Sequence, residues 1–308
     1  MDSLLANGRH SAMDVGLLLS GLSVLRARYR NWITHQEAED YGLTDNFHFS
    51  RQFRGEPFLK CLARHEHYLF MHLGVQQGMR ILEVGCGTGA RCRELAQFAD
   101  VTVVGIDTDE GNIQQARRYA TMAGLSARVQ FIQMGTNGEC DALSDDSFDA
   151  AFSVESIAAF SQFDVVCAQI SRVLRPGTKF ACYTWCMTNV WDAESAEHSK
   201  ARHRIQDTIR PGGDLVNVPP MSVAQSTVES AGFQVEHFED LATRPDDVRW
   251  YNVLEKADRD HWQRPLSGAW WITGSSTSSL RNPAARAILQ AGKAKLFSPM
   301  VLIVARRL

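Results

Sequence analysis

From Arg80 onward the chain alternates short apolar runs with longer stretches whose apolar residues recur every three to four positions. The short runs predict strands at Arg80–Val84, Thr102–Asp107, Val129–Met134, Phe148–Val154 and Lys179–Trp185. The longer stretches predict helices near Arg91–Phe98, Asn112–Ala123 and Phe163–Val173. R-V-L-R-P-G at Arg172–Gly177 closes the last of these with a proline–glycine turn. Ile81, Leu82 and Val84 form an apolar run suited to a strand buried on both faces. Such alternation implies an α/β architecture, a mostly parallel sheet with helices on both faces. Ligands then bind outside the carboxyl ends of the strands.

On either side of this alternation the pattern changes. Phe58–Leu73 is a strong amphipathic helix pattern that ends before Gly74, whereas residues 1–60 show no strand alternation. Met187–Pro220 loses periodicity. Beyond it, Ser222–Gly232 and Ala284–Ala294 predict helices, and Gln234–Leu241 and Phe297–Ala305 predict strands. The expected organisation is an N-terminal helical lid over 1–60, a ligand-binding core over 61–187, and a C-terminal cover over 188–308 that completes the sheet.

The first strand runs into I-L-E-V-G-C-G-T-G, Ile81–Gly89. A strand, a glycine turn and a following helix N-terminus make a nucleotide-type cradle. The spacing is G-x-G-x-G, not the G-x-G-x-x-G of a dinucleotide fingerprint. Glu83 stands at the loop entrance, where a carboxylate would repel a diphosphate but suit a cationic amino group. S-adenosylmethionine (SAM) carries an ammonium and a sulfonium and no phosphate. About 20 residues past the loop, V-T-V-V-G-I-D-T-D ends a second buried strand in Asp107, the offset at which an acid holds ribose hydroxyls. The expected cofactor set is Glu83, Gly85, Cys86, Gly87 and Gly89 with Asp107, Thr108 and Asn137, and the fold is a Rossmann-like SAM-binding one.

Composition narrows the partners. A net charge of −3 with 44% hydrophobic residues leaves no electrostatic footprint for nucleic acid. Seven scattered cysteines without a C-x-x-C pair fit the reduced thiols of an intracellular, cytoplasmic protein. His65-x-His67 and His198…His203 are poor metal pairs: residues two apart do not share a helix face, and zinc needs three or four converging ligands. No serine-nucleophile elbow or phosphate-binding loop is present. Val15–Leu25 is apolar but too short to span a bilayer. It reads either as a helix docked on the core or as an interfacial helix giving peripheral membrane contact. Association of like chains is left open by the sequence.

Several motifs together resemble the sterol C-methyltransferases, of the sterol 24-C-methyltransferase type. They are R-H-E-H-Y-L (Arg64–Leu69), L-E-V-G-C-G-T-G, A-R-R-Y-A (Ala116–Ala120), S-F-D-A (Ser147–Ala150), R-V-L-R-P-G, W-C-M-T (Trp185–Thr188), Trp250–Tyr251 and K-L-F-S-P-M (Lys295–Met300). The resemblance covers about residues 41–308. It implies a class I SAM-dependent methyltransferase fold and methyl transfer from SAM to the side-chain alkene of a sterol. Attack by an alkene on a methyl group leaves a carbocation, which aromatic faces and carboxylates stabilise, and a base then removes a neighbouring proton.

The departures fall where the substrate is expected. The family's T-D-F-Y-E-Y-G-W-G is here T-H-Q-E-A-E-D-Y-G-L-T, keeping Tyr41 and Gly42. Its E-A-T-C-H becomes Glu155-Ser-Ile-Ala-Ala159, which keeps the acid, and its Y-E-W-C-M-T becomes Tyr183-Thr-Trp-Cys-Met-Thr188, which loses one. The expectation is therefore a SAM-dependent methyltransferase acting on a hydrophobic terpenoid, steroid-like or other specialised metabolite, with Glu155 and His48 for cation stabilisation or proton removal. Tyr41, Phe47, Tyr183 and Trp185 would line the pocket. An authentic sterol 24-C-methyltransferase, a SAM-binding cyclase or isomerase that transfers no methyl, and a non-catalytic partner subunit are the alternatives.

Overall fold

A computed structural model of the chain describes residues 48–135, 138–157, 162–209, 218–245, 248–255 and 283–308. Tyr41, Phe47, Asn137 and the Val15–Leu25 stretch lie outside the described residues.

The elements run in order α1 (Phe58–Leu73), β1 (Arg80–Val84), α2 (Ala90–Phe98), β2 (Thr102–Asp107), α3 (Glu110–Met122), β3 (Val129–Gln133), β4 (Phe148–Val154), α4 (Phe163–Val173) and β5 (Leu174–Met187). Then follow α5 (Ala196–Ile209), α6 (Met221–Ser230), β6 (Phe233–Asp240), α7 (Pro283–Lys293) and β7 (Phe297–Arg307). One seven-stranded sheet has the order β3-β2-β1-β4-β5-β7-β6. The first five strands are parallel, and β7 inserts antiparallel between β5 and β6. The strand order reverses between β1 and β4, which opens a crevice at their carboxyl ends.

Alternate side chains of each strand feed two cores, as a two-residue period requires. Ile81 and Val103 join Phe70, Leu95 and Phe152 on the face covered by α1 and α2. Leu82, Val84 and Val104 join Val166, Ile170 and Phe148 on the face covered by α4. Glu83 therefore points, with Ile81, toward α1 and α2. The apolar run of β7 is buried from Phe297 through Ala305, as expected of a strand flanked on both edges. All seven cysteines are free and buried.

Two elements differ from expectation. Met187–Pro220 contains a helix, α5, whose sequence A-E-H-S-K-A-R-H-R-I-Q-D-T-I is too polar to show an apolar period. It is anchored by buried Ile205 and partly buried Ala201 and packs against α7, so tertiary contact supplies what local pattern lacks. The turn at Pro176–Gly177 is present, but as a register shift within β5: Phe148 pairs with Leu174 and Ala150 with Lys179, so the residues between loop out. Among the described residues no helix is long and apolar enough to cross a membrane.

Candidate active site

The glycine loop is closed by its own backbone. The N–H groups of Gly85 and Cys86 both donate to the Ile106 carbonyl, at 2.8 and 2.9 Å, which ties the end of β1 to β2. Gly85 has φ +75°, and a Cβ there would lie 2.1 Å from that of Ser156, so β1 can approach the turn after β4 only through a glycine. Gly87 also has a positive φ, but nothing stands within 4 Å of where its Cβ would be. That glycine faces open space on the ligand side of the loop. Its N–H donates to Asp107 Oδ2 at 2.8 Å. Asp107 Oδ1 accepts from the Asp109 N–H at 2.9 Å and from Asn112 Nδ2 at 3.3 Å. The Asp107 carboxylate thus holds the loop and still has lone-pair capacity for a further donor. Neighbouring Thr108 is half-buried, with its carbonyl accepting from Gln133 Nε2.

Glu83 lies deeper than its position at the loop entrance suggests. It is fully buried, with Oε1 accepting from Arg91 Nε at 2.5 Å and Oε2 from the Cys92 thiol at 2.8 Å. Arg91 Nη2 donates in turn to the Gly85 carbonyl at 3.2 Å. Burial pushes the Glu83 carboxyl up, and the Arg91 charge opposes it. The pair locks α2 onto the loop. Beside it, the Thr88 hydroxyl is buried without a hydrogen-bond partner among the described residues.

Glu155 ends β4 across the crevice. Its backbone has φ +55°, an uncommon value for a residue with a side chain. Its N–H donates to the Tyr183 carbonyl of β5 at 2.8 Å, which holds the turn. Its Oε1 accepts from the Phe49 N–H at 2.6 Å. Burial pushes the carboxyl up to about 7, against the His48 charge, the Phe49 N–H, Trp185 and Arg91, which all favour ionisation. The Trp185 indole N–H stands beside Glu155 but closes no full hydrogen bond to any described residue.

His48 is buried, with Nδ1 3.0 Å from the Phe49 carbonyl oxygen and Nε2 3.0 Å from Glu66 Oε1. His65 stacks on Tyr183 with centroids 3.8 Å apart, and the Tyr183 hydroxyl donates to the His65 carbonyl at 3.0 Å. Burial holds the His65 imidazole well below its usual range, so that ring is neutral. The Tyr183 ring is therefore packed against His65, while its carbonyl meets Glu155. Trp185, Phe49, Trp250 and Phe297 form a cluster of four rings with centroid separations of 5.1 to 6.1 Å.

The structure thus joins Glu155, His48, Tyr183 and Trp185 at one end of the sheet and Glu83, the glycines and Asp107 beside them. Sequence reasoning passed over Phe49, Glu66, Arg91 and Phe297. For Glu66 and Arg91 a signal existed, namely charged residues at positions that the helical period assigns to the core.

The pattern of a methyltransferase domain matches residues 75–257, and that of the sterol methyltransferase C-terminal region matches residues 273–307. The chain is 33% identical to the sterol 24-C-methyltransferase of Aspergillus fumigatus, over 92% of this chain and 80% of that protein. It belongs to the sterol methyltransferase family. It is a SAM-dependent methyltransferase.

Among solved structures, geranyl diphosphate C-methyltransferase from Streptomyces coelicolor shares the fold, with TM-score 0.66, 15% identity, and coverage of 92% of this chain and 98% of that one. The [4+2]-cyclase SpnF shares it with TM-score 0.64, 18% identity, and coverage of 94% and 96%. The residues present in this sterol methyltransferase relative fit SAM. Gly87 leaves room at the loop, Asp107 retains acceptor capacity, and the Thr88 hydroxyl lacks a partner.

Proposed function

We propose that this enzyme methylates carbon in a hydrophobic acceptor of the terpenoid or steroid class, with Glu155 as the proton acceptor. The observation that carries this reading is a partly buried carboxyl pushed up to about 7 at the strand-order reversal, beside Trp185. A base whose pKa lies near the working pH is suited to proton removal.

SAM supplies an electrophilic methyl group. Asp107 accepts from ribose hydroxyls, Gly87 lets the backbone approach, and Glu83, fixed by Arg91, and the Cys86 and Gly89 turns set the loop's shape. Thr108 flanks the adenine in this reading, and Asn137, outside the described residues, is assigned to the cofactor by the sequence alone. On the acceptor side Trp185 meets the substrate, and Tyr41 and Phe47, outside the described residues, are assigned to the pocket by the sequence alone. With SAM bound, the π-electron pair of an acceptor alkene would take the methyl group, with S-adenosylhomocysteine as the leaving group. The resulting cation is stabilised by the Trp185 face and the ionised Glu155. Glu155 then takes a proton from the neighbouring carbon, and that C–H pair restores a double bond. His48 supports the cationic step by its charge on Glu155. The apolar stretch Val15–Leu25, outside the described residues, is assigned by its sequence to acceptor capture from a lipid surface in this reading.

The test is incubation with methyl-labelled SAM and three acceptor sources: a sterol with a side-chain alkene, acyclic terpenoids, and an extract of cells lacking the enzyme. A labelled hydrophobic product with the label on carbon supports the reading and identifies the acceptor. An unlabelled isomer formed with SAM unspent overturns it in favour of a cyclase, whose fold likeness to SpnF is the observation behind that second reading.

A further inference from the structure

Glu66 occupies a core position of α1. Leu62, Glu66, Leu69 and Leu73 recur every three to four residues, and all four are buried. A carboxylate in such a stripe is strongly disfavoured unless it is paired. Its partner is His48, 3.0 Å away through Nε2. On the other side of the ring, Nδ1 faces the Phe49 carbonyl oxygen at 3.0 Å. A carboxylate and a carbonyl are both acceptors, so each ring nitrogen faces an acceptor, a setting that suits the cationic ring. Such a ring has no lone pair with which to take a proton from a substrate. The Phe49 N–H, one bond further along the chain, makes the 2.6 Å contact to Glu155.

We propose that Glu66 is a positioning residue for Glu155: through His48 it fixes the peptide that binds the Glu155 carboxylate and the positive charge that faces it. This rests on the reading of Glu155 as the proton acceptor. The groups facing Glu155 are His48 and the Phe49 N–H from the segment before α1, Trp185 from β5 and Arg91 from α2. Of these, the His48 charge most favours the ionised form. Glu66 acts in turn on His48, on Arg91 and Glu83 of the cofactor loop, and on Tyr183. A single acid of α1 therefore touches the electrostatics of both halves of the site.

The test needs no acceptor. The protein is labelled with carboxyl-¹³C glutamate, and the Glu155 resonance, identified by its loss in Glu155→Gln, is followed against pH. An opposite charge within about 4–6 Å of a carboxylate moves its midpoint by about 1 unit or more. Glu66→Gln and His48→Gln should each raise the Glu155 midpoint by about that amount, and the double variant should go no further than either. Glu66→Asp, which keeps the charge, should fall between wild type and Glu66→Gln.

An unmoved midpoint in folded Glu66→Gln overturns the proposal, as do additive shifts in the double variant or a shift in Glu66→Gln without one in His48→Gln. Should Glu66→Gln fail to fold, the His48→Gln titration decides alone, and an unmoved midpoint there overturns it. Undiminished methyl transfer by Glu155→Gln would instead sink the proton-acceptor reading, and leave the titration result intact.

Discussion

Glu83 and Glu155 are the same residue type at the same edge of one sheet, on strands that pair with each other. Glu83 is fully buried and Glu155 partly so, and burial raises the proton affinity of both. Glu83 is clamped by a guanidinium at 2.5 Å and a thiol at 2.8 Å. Glu155 accepts one backbone N–H, while His48 and Arg91 favour its ionised form by charge alone. The first carboxylate spends its charge on holding the loop together. The second keeps its charge available at a pH where the proton can come and go. Burial alone does not mark a catalytic acid; the identity of what neutralises it does.

That contrast is broken most sharply by Glu155→Gln. If Glu155 is the proposed proton acceptor, its loss costs about 10²- to 10⁴-fold in turnover, which single-turnover transfer of labelled methyl would measure. In the wild type, turnover should rise with pH through about 7 and be lost below it, because only the ionised form accepts a proton. Stability should move the other way. A folded-state value raised from 4.5 to about 7 means that the folded protein binds the extra proton, so stability falls as pH rises through that window. Glu155→Gln removes the effect, and at pH 8 should be more stable than wild type by up to about 3 kcal/mol, a gain that vanishes below the unfolded carboxyl's range. A destabilised Glu155→Gln at alkaline pH would contradict the account of this site.

Glu83→Gln should do the reverse. It removes the carboxylate to which Arg91 Nε donates, and breaking a buried pair by removing one partner costs about 3–5 kcal/mol. Denaturant unfolding of the protein without cofactor would read this directly. Paired replacement of Glu83 and Arg91 by uncharged residues of similar size should recover much of the loss, since the buried cation is then gone as well. If the single variant unfolds like wild type, the clamp has no structural weight and Glu83 is better assigned to the cofactor.

The two carboxylates also divide what the sequence makes legible. Glu83 and Asp107 were readable because a strand, a glycine turn and a second strand are local, and their spacing follows from backbone geometry. The same holds for β1, β2, β4, α1 and α4, whose apolar periods coincide with their observed bounds. What lay beyond reach depends on tertiary contact. Arg91 as the partner of Glu83 requires knowing that α2 folds back on its own loop. The Phe49 N–H reaches Glu155 across 106 positions of chain, and no periodicity encodes that. α5 stayed hidden because two apolar anchors in a polar helix do not make a pattern. Glu66 was visible as an acid in an apolar stripe, but only its contact with His48 says what it is for.

The smallest effect expected concerns Thr88, between the two carboxylates in function. Its hydroxyl is buried at the glycine loop with no hydrogen-bond partner among the described residues, while its carbonyl accepts from Arg93 Nη1 at 2.7 Å. An unpaired buried hydroxyl is a liability in the protein alone, so Thr88→Val, which keeps the shape, should leave its thermal midpoint unchanged or slightly raised. If the hydroxyl is kept for the cofactor, the same variant should bind SAM less tightly by about 0.5–1.5 kcal/mol, a severalfold change that titration calorimetry resolves. Unchanged affinity would make Thr88 a filler of the loop and leave recognition to Asp107 and the backbone around Gly87. Weakened affinity with unchanged stability would show the loop to be built in two parts: a clamp at Glu83 that folds the protein, and an open edge at Thr88 and Gly87 that waits for the ligand.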